Sequence, residues 1–188
     1  MAETVSEVIE QAERRMKLTV EAVERDMAGV RTGRASPALL DTLKVDYYGS
    51  QLPVNQVATI SVPEPRLIVV APWDQAALPA IERAIMTSEL GLNPQSDGKV
   101  IRLQIPPLTE ERRKELARLV GRMAEDGRVA VRNVRRDAND ALDKMEKSGT
   151  ISEDDRDSGK KQVQELTDKY IKEMDRVLER KTEEIMEQ

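Results

Sequence analysis

The chain has 188 residues, 30 of them Lys or Arg and 35 Asp or Glu, for a net charge of -5; charged residues make up 35% of it and aromatics 2%. It contains no Cys and no His, which excludes a disulfide framework, a thiol nucleophile, the commonest general base and the usual zinc ligands. Its aromatics are Tyr47, Tyr48, Trp73 and Tyr170, with no Phe. A base-stacking platform for single-stranded nucleic acid is therefore not expected, and any nucleic-acid binding should run through phosphates and shape.

The N-terminal Met1-Ala-Glu-Thr-Val-Ser-Glu7 has no basic or apolar leader. No run approaches the roughly 18 apolar residues of a membrane span. The expectation is a soluble, cytoplasmic, monomeric chain of one large or two small domains, with no catalytic residue, metal or cofactor.

From Glu3 to about Val30 the pattern is helical: Val5, Ile9, Ala12, Met16, Val20, Val23, Met27 and Val30 recur at steps of three and four, as along a coiled-coil seam. Gly33 offers a left-handed terminus, and Ser36-Pro37 reads as N-cap and first-turn proline of a short helical turn, 38–41. The next stretch follows other rules. Leu43, Val45 and Tyr47 alternate with polar residues before a Gly49-Ser50 turn, predicting a strand and hairpin. Residues 57–62 read as a second strand. Leu67 to Ala71, apolar throughout between Pro65 and Pro72, reads as a buried strand. Pro79 can open a helix running towards Leu90, with Gly91 as terminator, Asn93-Pro94 turns the chain, and Ile101, Leu103 and Ile105 mark a last strand.

After Pro106-Pro107, Thr109 caps a helix whose first turn carries Glu110 and Glu111, the charge the helix dipole favours there. Its seam reads Leu116, Val120, Met123, Gly127, Ala130, Val134, Ala138, Ala141 and Met145. At about 39 residues it would be roughly 58 Å long. A tight turn at 147–150 follows, and then Ser152 with Asp155 at the capping-box spacing. The third helix has its seam at Val163, Leu166, Tyr170, Met174, Val177 and Ile185. None of the three stripes can stay in water, and three helices packed together bury all three. The expected fold is α+β: an elongated three-helix bundle (1–30 and 106–188) with a small β/α/β domain (31–105) inserted. The two segments that cross between them, at Val30, Thr32 and Gly33 and at Gln104, Ile105, Pro106 and Pro107, read as a hinge of limited swing.

The second helix also carries the most concentrated charge. Arg118, Arg122, Arg128, Arg132, Arg135 and Arg136 face only Glu125 and Asp126 across the same stretch. Arg128, Arg132 and Arg135 share one side at i, i+4 and i+7, with Arg136 flanking them. A guanidinium fork suits bidentate grip on phosphate; a solvated face paired to acids on neighbouring helices is the alternative. Arg31 and Arg34 add to the stripe, and with Arg135 roughly 39 Å along the second helix the footprint would be long, as a structured RNA backbone allows. Other motifs fail. Gly91 to Lys99 has the wrong glycine spacing for a P-loop and Val100 where Ser or Thr is needed. Asp137-Ala-Asn-Asp140 has Leu142 in place of the glycine of a calcium loop. No spacing pairs a nucleophile with a base.

Several long motifs carry a family resemblance. Arg31-Thr-Gly-Arg-Ala-Ser-Pro37 with Leu40-Asp41, Gly91-Leu-Asn-Pro94, Pro106-Pro-Leu-Thr-Glu-Glu-Arg-Arg-Lys114, Val129-Ala-Val-Arg-Asn-Val-Arg-Arg-Asp-Ala-Asn139 and Ile151-Ser-Glu-Asp-Asp155 occur in order along essentially the whole chain. They resemble the bacterial ribosome recycling factor family. The resemblance implies an L-shaped, hinged, non-enzymatic factor that binds the post-termination 70S ribosome between its subunits. It implies that elongation factor G, through its GTP hydrolysis, drives subunit separation, after which the third initiation factor keeps the subunits apart. It places contacts to large-subunit rRNA on Arg31, Arg34, Arg132 and Arg135; Arg128 and Arg136 join them from the face they share. A coiled-coil adaptor whose arginine face meets an acidic protein remains the alternative.

Overall fold

The structure is a computed structural model that describes residues 4–187, so Glu3, at the expected start of the first helix, lies outside the described residues. The chain separates into two compact units, one running up to Val30 and from Arg113 onward, the other spanning Arg31–Arg112.

The first unit consists of three long helices: α1 (Val5–Ala28), α3 (Glu110–Lys147) and α4 (Glu153–Met186). Their ends follow local chemistry. Thr4 Oγ1 caps α1 by accepting from the Glu7 N–H, and Thr109 Oγ1 accepts from the Arg112 N–H at the start of α3. Ser152 and Asp155 form a reciprocal capping box on α4, with Ser152 Oγ accepting from the Asp155 N–H at 3.0 Å. α1 ends at Ala28, before the expected Val30, and Gly33 turns the chain beyond it at φ +78°.

The seams have the expected period but a different phase. In α3 the buried residues are Leu116, Val120, Ala124, Gly127, Val131, Val134, Ala138, Leu142 and Met145. Met123, Ala130 and Ala141, expected on the seam, are only half-buried. The apolar stripe is two residues wide, and its most completely buried side runs through Ala124, Val131 and Leu142, each 0% exposed. For the same reason Val8 is buried where Val5 and Ile9 are half-buried, and Thr167 replaces Leu166 in α4. Thr167 is tolerated because its hydroxyl donates to the Val163 carbonyl at 2.8 Å. Gly127 marks where the helices meet most closely: a Cβ there would lie 2.5 Å from Met174 Cε of α4 and 2.9 Å from Val23 Cγ2 of α1.

In the second unit, Ser36 caps a 3₁₀ turn, Pro37–Leu40. The hairpin β1 (Lys44–Tyr47) and β2 (Ser50–Pro53) follows, and then a four-stranded antiparallel sheet of order β3-β4-β6-β5, formed by β3 (Ala58–Glu64), β4 (Leu67–Pro72), β5 (Pro94–Ser96) and β6 (Ile101–Gln104). The single helix α2 (Leu78–Thr87) buries Ile81 and Ile85 with Val45, Ile68, Val70, Ile101 and Leu103. Contrary to expectation, β4 is buried on one face only: Ile68, Val70 and Pro72 point inward and Leu67, Val69 and Ala71 are half-buried. Its run of apolar residues conceals an ordinary alternation, because the core lies on one side of the sheet. α2 stops at Thr87, short of Leu90. The stretch after Asn93, expected as a turn, contains β5, where Pro94 opens an edge strand that needs no N–H there.

Two residues of the expected hinge sit within the sheet unit. Gln104 is in sheet register with Leu67, and the Ile105 N–H donates to the Arg66 carbonyl at 2.8 Å. Both are held by the small unit. Pro106 and Pro107 are exposed and lie outside strand and helix. The two compact units divide after Arg112, so residues 110–112 at the start of α3 fall in the second unit.

Candidate nucleic-acid interface

Helical geometry and acid partners sort the arginines of α3 into two ranks. At 100° per residue, Arg118, Arg122, Val129 and Arg136 fall within about 40° of one another, opposite the buried stripe. All four are exposed. Arg118 to Arg136 covers about 27 Å of helix rise. Arg122 and Arg136 have no hydrogen-bond or ion-pair partner among the described residues, and Arg118 donates only to the Lys114 carbonyl of its own helix at 3.3 Å. Their guanidinium forks are available to an external acceptor.

Arg128 and Arg135 instead turn towards α4. Arg128 donates through Nε and Nη2 to Asp175 Oδ1 at 2.8 and 2.7 Å, and through Nη1 to Glu125 Oε2 at 2.9 Å. Its side chain is only 19% exposed. Burial works against the charged form, but the bonds to Asp175 and Glu125 outweigh it and hold the guanidinium above its ordinary pKa. Glu125 is correspondingly held below the usual carboxylate range, first by Arg128 and then by Arg132. Arg128 therefore braces α3 against α4 rather than offering a free fork. Arg132, 42% exposed, touches the other Glu125 oxygen at 3.4 Å, and Arg135 gives one donor to the neutral amide oxygen of Gln164 at 3.3 Å. Both keep most of their donors.

Arg31 and Arg34 lie in the other unit, exposed and immediately before the Ser36 cap. Arg118 and Arg122 are not among the expected candidates, because spacing groups the arginines by the i, i+4, i+7 row of Arg128, whereas these two lie in the exposed row opposite the buried stripe. Reading outward from the buried stripe would have found them. The failed motifs are accounted for locally: Asp97 accepts from the Lys99 and Val100 N–H groups and from Arg102 in the β5–β6 turn, and Asp137 pairs with Arg15 of α1 at 3.1 Å. Among the described residues no group of three or more His, Cys, Asp or Glu is placed to hold a metal ion, and no helix is long and apolar enough to cross a membrane.

A long-helix bundle with an inserted antiparallel sheet unit defines a class of α+β protein, here one that presents a row of exposed arginines on its longest helix. The particular family follows from comparison, since residues 23–186 match the family model described as ribosome recycling factor. The chain is 55% identical over 181 residues to the ribosome-recycling factor of Symbiobacterium thermophilum, covering 96% of this chain and 98% of that one. It is 52% identical over 182 residues to that of Carboxydothermus hydrogenoformans, covering 97% and 98%. A solution structure of the ribosome recycling factor superposes with TM-score 0.78 at 49% identity, covering 99% of both chains. Models of the T. thermophilus ribosome recycling factor and the E. coli elongation factor G bound to the E. coli post-termination complex match with TM-score 0.66 at 49% identity, covering 97% of this chain and 99% of that one. The chain belongs to the ribosome recycling factor family.

Proposed function

We propose that this chain binds the post-termination 70S ribosome between the subunits and, together with elongation factor G, splits it so that mRNA and tRNA can be released. The single observation that carries the binding step is the row of arginines along α3 that keep most of their donors, Arg118, Arg122 and Arg136 with no acid partner and Arg132 and Arg135 with one long contact each, set in a chain whose family is that of the ribosome recycling factors. Such groups exchange water and counterions for phosphate oxygens at low cost, and their spacing along a rod suits an uneven RNA backbone. Arg132, Arg135 and Arg136, with Arg31 and Arg34 on the small unit, are the anchoring residues of this reading, and Arg118 and Arg122 extend them. Arg128 contributes by holding α3 and α4 together.

The chain is not an enzyme in this scheme. Hydrolysis of GTP belongs to elongation factor G, and the work of separation comes from there. Motion of the small unit at Val30, Thr32 and Gly33 and at Pro106 and Pro107 would pass that work to the anchored bundle. The site of action is the cytoplasm, where the ribosomes are.

Co-sedimentation with vacant 70S ribosomes over a salt series, comparing wild type with Arg132→Ala/Arg135→Ala, tests the anchoring. The double variant should lose at least about tenfold in affinity at moderate salt with its helicity unchanged. Full binding by the double variant would remove these residues from the anchor. A wild type that neither pellets with ribosomes nor splits them in the presence of elongation factor G and GTP would overturn the function.

A further inference from the structure

In the small unit Tyr47 and Tyr48 both reach Asp74, whose neighbour in the chain is Trp73. Tyr48 is 79% exposed and Trp73 65% exposed, an unusual use of aromatic residues in a chain that has so few. Their polar ends are already engaged: the Tyr47 and Tyr48 hydroxyls both donate to Asp74 Oδ2 at 3.1 Å, and Trp73 Nε1 donates to Thr59 Oγ1 at 2.8 Å. The tyrosine rings meet edge to face, 4.5 Å between centroids. With those polar ends engaged, what the exposed Tyr48 and Trp73 side chains still offer a visitor is ring surface.

The backbone beneath points the same way. Tyr47 pairs with Ser50 across a two-residue turn in which Tyr48 sits at φ +50° and Gly49 at φ +82°. Both positions of such a turn favour Asn or Gly, and an aromatic residue in the left-handed region is strained. Folding alone would prefer Asn at 48. An exposed ring kept against local preference calls for a role outside folding.

Ring faces accept either a nucleobase or a cation, and charge decides between them. Asp74 also accepts from the Ala76 N–H at 2.9 Å, and that bond, with those from Tyr47 and Tyr48, keeps its carboxyl below the usual range and therefore ionised. No Lys or Arg takes part in the hydrogen bonds of the cluster. A fixed carboxylate amid ring faces repels phosphate and attracts guanidinium or ammonium. We propose that Tyr47, Tyr48, Trp73 and Asp74 form a docking surface on the small unit for an arginine- or lysine-bearing segment of a protein partner. It is opposite in chemistry to the arginine face of α3. Its use during subunit splitting rests on the function proposed above; the binding itself does not.

Trp73 is the only tryptophan, so its fluorescence reads this surface directly. Titration of the whole protein with an arginine octapeptide at low salt should give a saturable change in that fluorescence. Tyr48→Asn, which suits the turn and should fold, and Asp74→Asn should each weaken the apparent affinity at least about fivefold, whereas Asp46→Asn on the same hairpin should not. No change, an equal response in Tyr48→Asn, or a stronger response to polyuridylate would overturn the proposal, the last in favour of nucleic acid. In the splitting reaction with elongation factor G and GTP, Tyr48→Asn should slow splitting at least about tenfold while 70S co-sedimentation stays within about twofold of wild type. Unimpaired splitting would overturn the assignment to recycling, and loss of 70S binding by wild type would overturn the function itself.

Discussion

Tyr170 shows how one side chain can link burial, charge and pH. It lies in the bundle core, 4% exposed, with its hydroxyl donating to Glu13 Oε1 of α1 at 3.0 Å, and Lys169 Nζ stands 3.5 Å from the same oxygen. Burial first, and then Glu13, pushes the phenol up to about 12. An unfolded chain releases this proton near the ordinary value of about 10. Between pH 10 and 12 the unfolded state therefore binds fewer protons than the folded one, so stability falls as pH rises. Below pH 10 the contribution is complete. Tyr170→Phe should cost about 1 kcal/mol at neutral pH through the lost hydrogen bond, and its deficit should shrink as the wild type loses stability above pH 10. Urea midpoints for both proteins from pH 8 to 11 check this, and parallel curves would show that Tyr170 is not the group responsible. The burial of Tyr170 was legible in its helical period; its bond to Glu13, 157 positions away, was not.

Along α3 the same division recurs at the scale of the element. Its length, its acidic first turn and its apolar period were all legible, because capping and periodicity are properties of neighbouring residues. The phase of the stripe was not, since Met123 and Ala124, or Ala130 and Val131, compete for the inward position and only the placement of α1 and α4 decides between them. Nor could spacing divide the arginines into a brace and a contact face. Two variants separate these roles. Arg128→Ala leaves Asp175 and Glu125 without their shared cation and should lower stability by about 1 kcal/mol, with less than about a threefold loss of ribosome affinity. Arg135→Ala, which gives up only a long contact to a neutral amide, should do the reverse, with stability within about 0.5 kcal/mol of wild type. Guanidinium melts alongside co-sedimentation would show the crossover, and two variants failing in the same way would end the distinction.

For the whole molecule, a net charge of -5 with arginines gathered on one helix face would orient the chain towards a phosphate backbone, because the remaining surface carries an excess of negative charge. If Arg118 and Arg122 reach phosphates, replacing both with Ala should lower affinity for ribosomes across all conditions and reduce the slope of log affinity against log salt by about two. An unchanged slope would place that end of α3 in solvent and confine anchoring to Arg132, Arg135 and Arg136.

Legible from the residues alone were the class of fold, the three long helices with the caps of the second and third, the small unit inserted between the first and second, the absence of cysteine and histidine chemistry, and, through long ordered motifs, the family. These follow from residues that act on near neighbours or from runs of fixed order. It took packing in three dimensions to settle which arginine is tied to acids, which apolar residue lies at the centre of each seam, and that Tyr47 and Tyr48 both meet Asp74. Each of those outcomes depends on groups far apart along the chain, 47 positions from Arg128 to Asp175 and 26 from Tyr48 to Asp74. Such pairings arise from packing in three dimensions, which residue spacing along the chain does not encode.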